Sequence, residues 1–448
     1  MSSDFSNSHS SPALGIALIG AGVVGGGVLD ILKQQQHLLQ QRCGHTLNIT
    51  AVVKRDLTLD ERLTPYRDLL SNDWRSAVAN PQTDIVVELI GGCTTAAECI
   101  RAALAAGKPV VTANKALLAE TSNTADDILA YAATQSLPIA HEAAIAGCIP
   151  VVKTLRESLA GDSVQAMYGV INGTCNYILT AMEAEQSTFA AALEKAQALG
   201  YAEAAPAFDI DGVDTAHKLL LMTRIAFGCH VCMADIPLIG IRDLDYCDIV
   251  YARQFNYRIK LLAVAKRVAN GTANGPVELR VRPAMVPAAH IMASLEGALN
   301  AVTIHSQFSG ETLYSGAGAG AHPTATAVVA DIVDIARRYK DKRYQSDNGG
   351  DSIADNSLTL QQHFSTPFYL RVRVLDKPGV IADIAQILAE QNISIEAINQ
   401  EAIAADTVDL IILLHESEDA KVEASIAAIM QLAAVTQPVV ALPIERLN

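Results

Sequence analysis

The sequence predicts an α/β protein in three parts. These are a doubly wound parallel sheet, an α+β portion on a mixed sheet, and a ferredoxin-like βαββαβ unit. Three observations predict it. Short apolar runs alternate with helical stretches from residue 14 to about 148, the rhythm of strands joined by crossover helices. From Ile149 onward, long helical stretches come first and long alternating runs follow. Residues 366–448 read strand, helix, strand, then strand, helix, strand. The length of 448 residues suits three domains of ~150 each.

In order, residues 14–20 read as a buried strand entering a glycine turn, and a helix follows from about Val23 to Leu39. Apolar runs at 49–53 and 85–90 are the next strands, the latter ending at Gly91-Gly92. An Ala-rich helix spans 96–106, and strands are expected at 109–112 and 137–142. Helices at 151–159, 188–199 and 215–227 then precede strands at 259–268, 277–283 and 302–308. A helix at 324–339 is expected to return to the first domain, giving a cofactor domain of 14–148 plus about 323–340 and a substrate-binding and dimerisation domain of 149–322. Residues 341–364, polar and carrying Gly349-Gly350, read as a linker to the last domain, 365–448.

Composition narrows the function. Half the residues are apolar and 18% are charged, which excludes a disordered chain. The net charge of −15, from 33 Lys and Arg against 48 Asp and Glu, argues against a nucleic-acid partner. No apolar run reaches the ~18 residues of a membrane span; residues 16–29 hold five glycines. Residues 1–13 begin Ser-rich without Lys or Arg, so they read as a disordered tail and not a signal peptide. The eight cysteines are scattered, which suggests a reduced, cytoplasmic protein. Cys229-His230-Val231-Cys232 has metal-like spacing, but no second pair follows.

Gly20-Ala21-Gly22-Val23-Val24-Gly25 is a G-x-G-x-x-G between a strand and a helix, the setting of a dinucleotide site. Gly20 makes the turn, Gly22 lets the backbone approach the pyrophosphate, and Gly25 lets helix and strand pack. Backbone amides at Val23 and Val24 then face the phosphate. The second strand ends in Lys54 and Arg55, with Asp56 only after them. Cations suit a 2′-phosphate, so NADP(H) is favoured over NAD(H). A solvated strand end would leave the same residues.

Polar clusters follow at element ends: Ala113-Asn114-Lys115, residues 172–176, and residues 200–218 with four carboxylates and a lysine. Asp214 and Lys218 are i and i+4 on one helical face. A capping box of Asp211 and Asp214, or a plain ion pair, fits the spacing equally well.

These motifs, in this order, make the chain resemble homoserine dehydrogenase with a C-terminal ACT domain. The motifs are residues 19–25, 111–119, 141–150, 171–179, 200–203, 212–218 and 316–320, and the resemblance covers nearly the whole chain. It implies a Rossmann-type cofactor domain and NAD(P)H-dependent reduction of L-aspartate 4-semialdehyde to L-homoserine, in threonine, methionine and isoleucine biosynthesis. It implies Lys218 as proton donor, with Lys115 near cofactor and substrate. A cation at the aldehyde oxygen stabilises the charge that develops there. Glu203, Asp209 and Asp214 then surround the substrate ammonium, Asn114 and Gly318 lie near the cofactor, and Asp214 belongs with the catalytic group. It also implies a sodium ion on Glu142, Ile145, Gly147 and Ile149, although Glu142 as a helix cap would look the same.

The chain departs from the family pattern at Ala205, where an Asp is usual, and at Thr95, Ile239 and Ala317. Ala205 removes one charge beside the substrate site.

The tail resembles an ACT domain at residues 375–383, with Gly379 before a helix. The resemblance implies threonine as effector and a homodimer or homotetramer; oligomerisation alone is the other reading. A non-catalytic sensor of NADP or amino acids, with the same fold, is the rival from another class. An enzyme of aspartyl phosphate would need an activated cysteine, and neither Cys148 nor Cys175 has that setting.

Overall fold

The central strand of the first sheet is apolar on both faces. β1 (Ala13–Ile19) has neighbours β2 (Thr46–Val53), β3 (Leu70–Ser71), β4 (Ile85–Glu88), β5 (Val110–Thr112) and β6 (Ile139–Ala140) in the order β3-β2-β1-β4-β5-β6. Every pair is parallel. A parallel sheet is covered on both sides, so its strands are continuous apolar runs. Leu14, Ile16 and Leu18 join one core with Val28, Leu29 and Ile332. Ala17 and Ile19 join another with Ile100 and Leu104. The order reverses between β1 and β4, which is where such sheets bind ligands, at the strands' carboxyl ends.

The computed structural model describes residues 12–119, 123–229, 231–268, 275–339, 359–361, 363–404 and 406–447. Most of the expected tail (1–13), most of the expected linker (341–364) and His230 lie outside the described residues. The chain forms two compact units. The first takes the described residues of Met1–Gly161, Leu220–Met233 and Gly316–Ser357. The second takes those of Asp162–Leu219, Ala234–Ser315 and Leu358–Asn448.

In the first unit, the helix Ala321–Arg338 packs on the helix Val23–Gln34. Gly27 permits this: a Cβ there would lie 2.7 Å from the Ala321 carbonyl oxygen and 3.0 Å from the Ala325 Cβ. The expected helix 23–39 is two helices, Val23–Gln34 and Gln36–Cys43, because Gln35 leaves helical geometry. The expected strand 137–142 shortens to β6, and Glu142 begins a 3₁₀ turn.

The second unit holds two sheets. The first contains β7 (Val164–Val170), β8 (Tyr257–Arg267), β9 (Val277–Pro287), β10 (Leu299–Ser306), β11 (Gly310–Ala317) and β12 (Leu360–Gln361), in the order β11-β10-β7-β8-β9-β12. Pairs along β10-β7-β8-β9 are antiparallel, and β12 is parallel to β9. Residues 360 and 361, expected within the linker, are therefore sheet residues; two residues are too short for a periodic signal. The outer edge of β9 is covered in three places. Val277 N donates to Thr359 O (3.0 Å), Val281 N to Pro237 O (2.9 Å), and Met285 O accepts from Glu445 N (2.9 Å).

The last sheet contains β13 (Ser365–Leu375), β14 (Ile395–Ala404), β15 (Thr407–Glu418) and β16 (Val440–Pro443), in the order β14-β15-β13-β16, all antiparallel. With helices Val380–Glu390 and Asp419–Ile429 between strands, this is the βαββαβ unit. Alternation divides the faces of β13. Phe368, Leu370, Val372 and Val374 pack with Ile384, Leu388 and Val422 from the two helices. Tyr369 and Arg371 face the other way, to Asp248 on the helix Tyr246–Gln254. Tyr369 Oη donates to Asp248 Oδ1 (2.9 Å), and Arg371 grips both oxygens (2.7 and 3.0 Å). Among the described residues, no helix is long and apolar enough to cross a membrane.

Candidate functional site

Two of the three motif glycines are required by the chain's own packing. Gly20 has φ +112°, and its N–H donates to Val53 O (2.9 Å). A Cβ at Gly20 would lie 2.5 Å from the Leu89 backbone, and one at Gly25 would lie 2.1 Å from Gly20 O. Gly22 differs. Its φ is −86°, and a Cβ there would meet nothing within 4 Å. Nothing inside the protein explains that glycine, so the free space answers to something outside the chain. Gly22 is the N-cap of the helix and makes no side-chain cap, and the first turn has no acidic residue. The orphan amides of a helix start therefore face open space. Val23 beside them is 71% exposed.

At the end of β2, Lys54 is half-buried and Arg55 exposed. Asp56 accepts from Thr58 N (3.0 Å) and Thr58 Oγ1 (2.6 Å), and those bonds hold its carboxyl below the usual range.

Sequence reasoning missed Glu88. It ends β4 fully buried, accepting from Thr112 Oγ1 (2.6 Å), Ile90 N (2.8 Å) and Gly91 N (3.3 Å). Burial pushes its carboxyl up. Thr112 Oγ1 in turn accepts from Asn114 N (3.0 Å), and Asn114 Nδ2 donates to Gly92 O (2.7 Å). Asn114 Oδ1 accepts from Leu117 N (3.1 Å), so Asn114 shapes both the loop after β4 and the helix Lys115–Ala119. Lys115 opens that helix, half-buried. The signal for Glu88 was a lone acid inside the apolar run 85–90, just before Gly91-Gly92.

Glu142 is buried. Its two oxygens accept from Val152 N (2.8 Å) and Lys153 N (2.9 Å), and burial pushes its carboxyl up. It caps the helix Val151–Lys153. Ile149 O accepts from Val151 N (2.8 Å). Gly147 has φ +63°, and a Cβ there would lie 2.6 Å from Ala317 O and Gly318 O. Cys148 N donates to Ala317 O (3.3 Å). The 316–318 backbone is thus packed on this loop. Glu142 and the backbone carbonyls of Ile145, Gly147 and Ile149 are all oxygen donors, the type a hard cation takes. Each Glu142 oxygen spends one lone pair on an amide. Among the described residues, no group of three His, Cys, Asp or Glu could hold a metal.

The second unit brings together Asn172, Asp209, Asp214 and Lys218. Asn172 caps the helix Gly173–Glu185 through Cys175 N (2.8 Å). Its amide donates to Asp209 Oδ1 (2.8 Å) and Asp214 Oδ2 (2.9 Å). Lys218 Nζ, only 7% exposed, donates to Asp214 Oδ2 (2.7 Å) and Ile171 O (2.6 Å). The i, i+4 pair forms, and the Asp211 carboxylate pairs with Arg242. Glu203 is not buried with these carboxylates; it is exposed, and its backbone carbonyl accepts from Gln197 Nε2 (3.0 Å). All eight cysteines are free. Burial, with Asp209 and Asp214 nearby, pushes the Cys175 thiol well up, which is the wrong direction for a nucleophile.

The homoserine dehydrogenase family model matches residues 150–333, and its NAD-binding domain matches residues 20–142. The chain is 39% identical to the homoserine dehydrogenase of Neisseria gonorrhoeae, covering 97% of this chain and 99% of that one. The chain belongs to the homoserine dehydrogenase family. An ACT domain matches residues 368–430. The homoserine dehydrogenase of Pseudomonas aeruginosa is also 39% identical, with 97% and 99% covered. A homoserine dehydrogenase crystal structure from Thiobacillus denitrificans superposes with a TM-score of 0.89 at 39% identity, over 97% of this chain and 99% of that one. Membership makes the chain an oxidoreductase with an NAD(P)-binding domain.

Replacing Asp214 by Ala leaves the Lys218 ammonium buried without its carboxylate. Stability is expected to fall by about 3–5 kcal/mol, read as a lower urea midpoint.

Proposed function

We propose that the chain reduces L-aspartate 4-semialdehyde to L-homoserine with NADPH, and that its ACT domain confers inhibition by threonine. The observation that carries the reaction is the buried Lys218 in its cluster. An ammonium has three donors. Asp214 and Ile171 take two, leaving one for the aldehyde oxygen. Lys218 there stabilises the developing alkoxide and delivers its proton. Asp214 keeps Lys218 aimed and charged. Asp209 and Asp214, with Glu203 outside them, attract the substrate ammonium, and Lys115 serves the end shared by cofactor and substrate. A sensor that had lost chemistry would have no use for a buried lysine held this way.

The amides of Gly22, Val23 and Val24 hold the pyrophosphate, with Gly20 and Gly25 fixing the turn. Bound NADPH supplies the hydride. Lys54 and Arg55 meet the 2′-phosphate, and Asp56, committed to Thr58, does not oppose it. Asn114 and Gly318 complete the cofactor's surroundings. Sodium fits the free lone pairs of Glu142 and the carbonyls of Ile145, Gly147 and Ile149; no step is routed through it.

In the ACT domain, Gly379 has φ +97° and caps the helix Val380–Glu390 without a side-chain bond. Its backbone amides suit an amino-acid carboxylate.

Lys218→Ala is expected to lower kcat by about 10²–10⁴ while NADPH binding, followed by fluorescence, is kept. Near-normal turnover would refute the role. Arg55→Ala should raise the NADPH KM roughly tenfold, the worth of a charged hydrogen bond, without moving that for NADH; equal KM values before and after would remove Arg55 from the site. Ile381→Asp places a carboxylate at the exposed start of the ACT helix, where it favours the fold and repels a bound carboxylate. Threonine inhibition should disappear with kcat unchanged, and intact inhibition would exclude this helix start as the effector site.

A further inference from the structure

The second unit contains a cavity of about 630 Å³ between the ACT domain and β9, and none of Asn172, Asp209, Asp214 or Lys218 lines it. That volume suits a small ligand. Ile239, Pro283, Ile426 and Val439 give it apolar walls.

Three arginines reach it: Arg242, Arg282 and Arg371. Two are already answered, Arg242 by Asp211 and Arg371 by Asp248. Arg282 is not. It is 8% exposed, and its Nε is buried without a hydrogen-bond partner. Among the described residues it makes no ion pair, and its guanidinium lies 5.9 Å from the Phe364 ring. It follows Glu278 and Arg280 at alternate positions on one face of β9. Arg280 is paired with both Glu278 and Glu445, so the two carboxylates of this group are taken up by Arg280 and neither is in an ion pair with Arg282. Burial and neighbouring Arg280 work against the Arg282 charge, while Glu423, Asp419 and Glu445 favour it from beyond ion-pair distance. Arginine does not shed its proton in a protein, so with no direct ion pair and an unpartnered Nε this guanidinium can take an anion's hydrogen bonds.

We infer that this cavity binds a small organic monocarboxylate with an apolar body, its carboxylate held by the Arg282 guanidinium. The guanidinium fork matches a carboxylate in bidentate fashion. The exposed acids Asp243, Asp245 and Glu423 also line the cavity. They repel a phosphate dianion more than a monoanion, and the walls suit an aliphatic body. The site is distinct from the Gly379 helix start and does not depend on the reaction proposed above.

Calorimetric titration of the full chain with isovalerate tests this, with isovaleramide as the neutral counterpart. Saturable binding of the acid is expected, with the amide weaker by roughly tenfold or more. Arg282→Met should lose binding of the acid while its Tm stays level or rises, because an unpaired buried charge is removed. Absence of acid binding at millimolar concentration, equal binding of the amide, or unchanged binding in Arg282→Met would overturn the inference. The comparison of acid and amide on the unaltered chain decides the matter even if the variant does not fold. A changed sedimentation coefficient in Arg282→Met would mean that a carboxylate of a second copy answers Arg282, and the small-ligand inference would fall.

Discussion

A lysine that is 7% exposed must have its charge answered from within the protein, and the polar architecture around Lys218 follows from that demand. Asp214 supplies the opposite charge from one turn earlier on the same helix. Its shared oxygen then needs fixing, and Asn172 does this while capping the next helix. Asp209 is drawn in by the same amide. Two helix starts and a strand end are thereby set by one buried cation. The same rule holds elsewhere in the unit: Asp248 is buried against Arg371 and Tyr369, and Asp409 against Arg373.

The first unit is governed by backbone proximity. Gly20, Gly25, Gly27 and Gly147 each sit where another main chain passes within about 2.7 Å of the missing Cβ. Gly22 differs from these four. Its missing side chain serves no internal contact. Glu88 and Asn114 then hold the two loops after β4 and β5 through Thr112, so the turn faces a shaped edge of the sheet.

Much of this was legible in the sequence. The buried strand β1, its glycine turn and the βαββαβ tail each rest on local patterns, periodicity and turn chemistry, which the chain carries in short windows. Asp214 and Lys218 were legible as a pair because helical spacing alone joins them. What was not legible depended on contacts distant in sequence. Asp211 looked like a helix cap, but Arg242, 31 residues away, takes its carboxylate. Glu203 sits among acidic residues in the sequence, yet the turn leaves it exposed. Glu88 lay unremarked inside the apolar run 85–90; its importance comes from Thr112, 24 residues on. β12 is two residues long, below any period, and exists because β9 offers it an edge.

That edge has a consequence for anyone trimming the molecule. An uncovered strand invites pairing with another chain. Of the three short covers along β9, one lies just before the ACT domain and one at its far end, at Thr359 and Glu445. The ACT domain is therefore fastened to the mixed sheet at both of its ends, like a clasp. A truncation beginning at residue 360 would remove β12 and the Glu445 cover from β9 and leave Arg280 without Glu445. Self-association of such a fragment would then report on an unfastened edge, and loss of its activity would carry no information about the chemistry at Lys218.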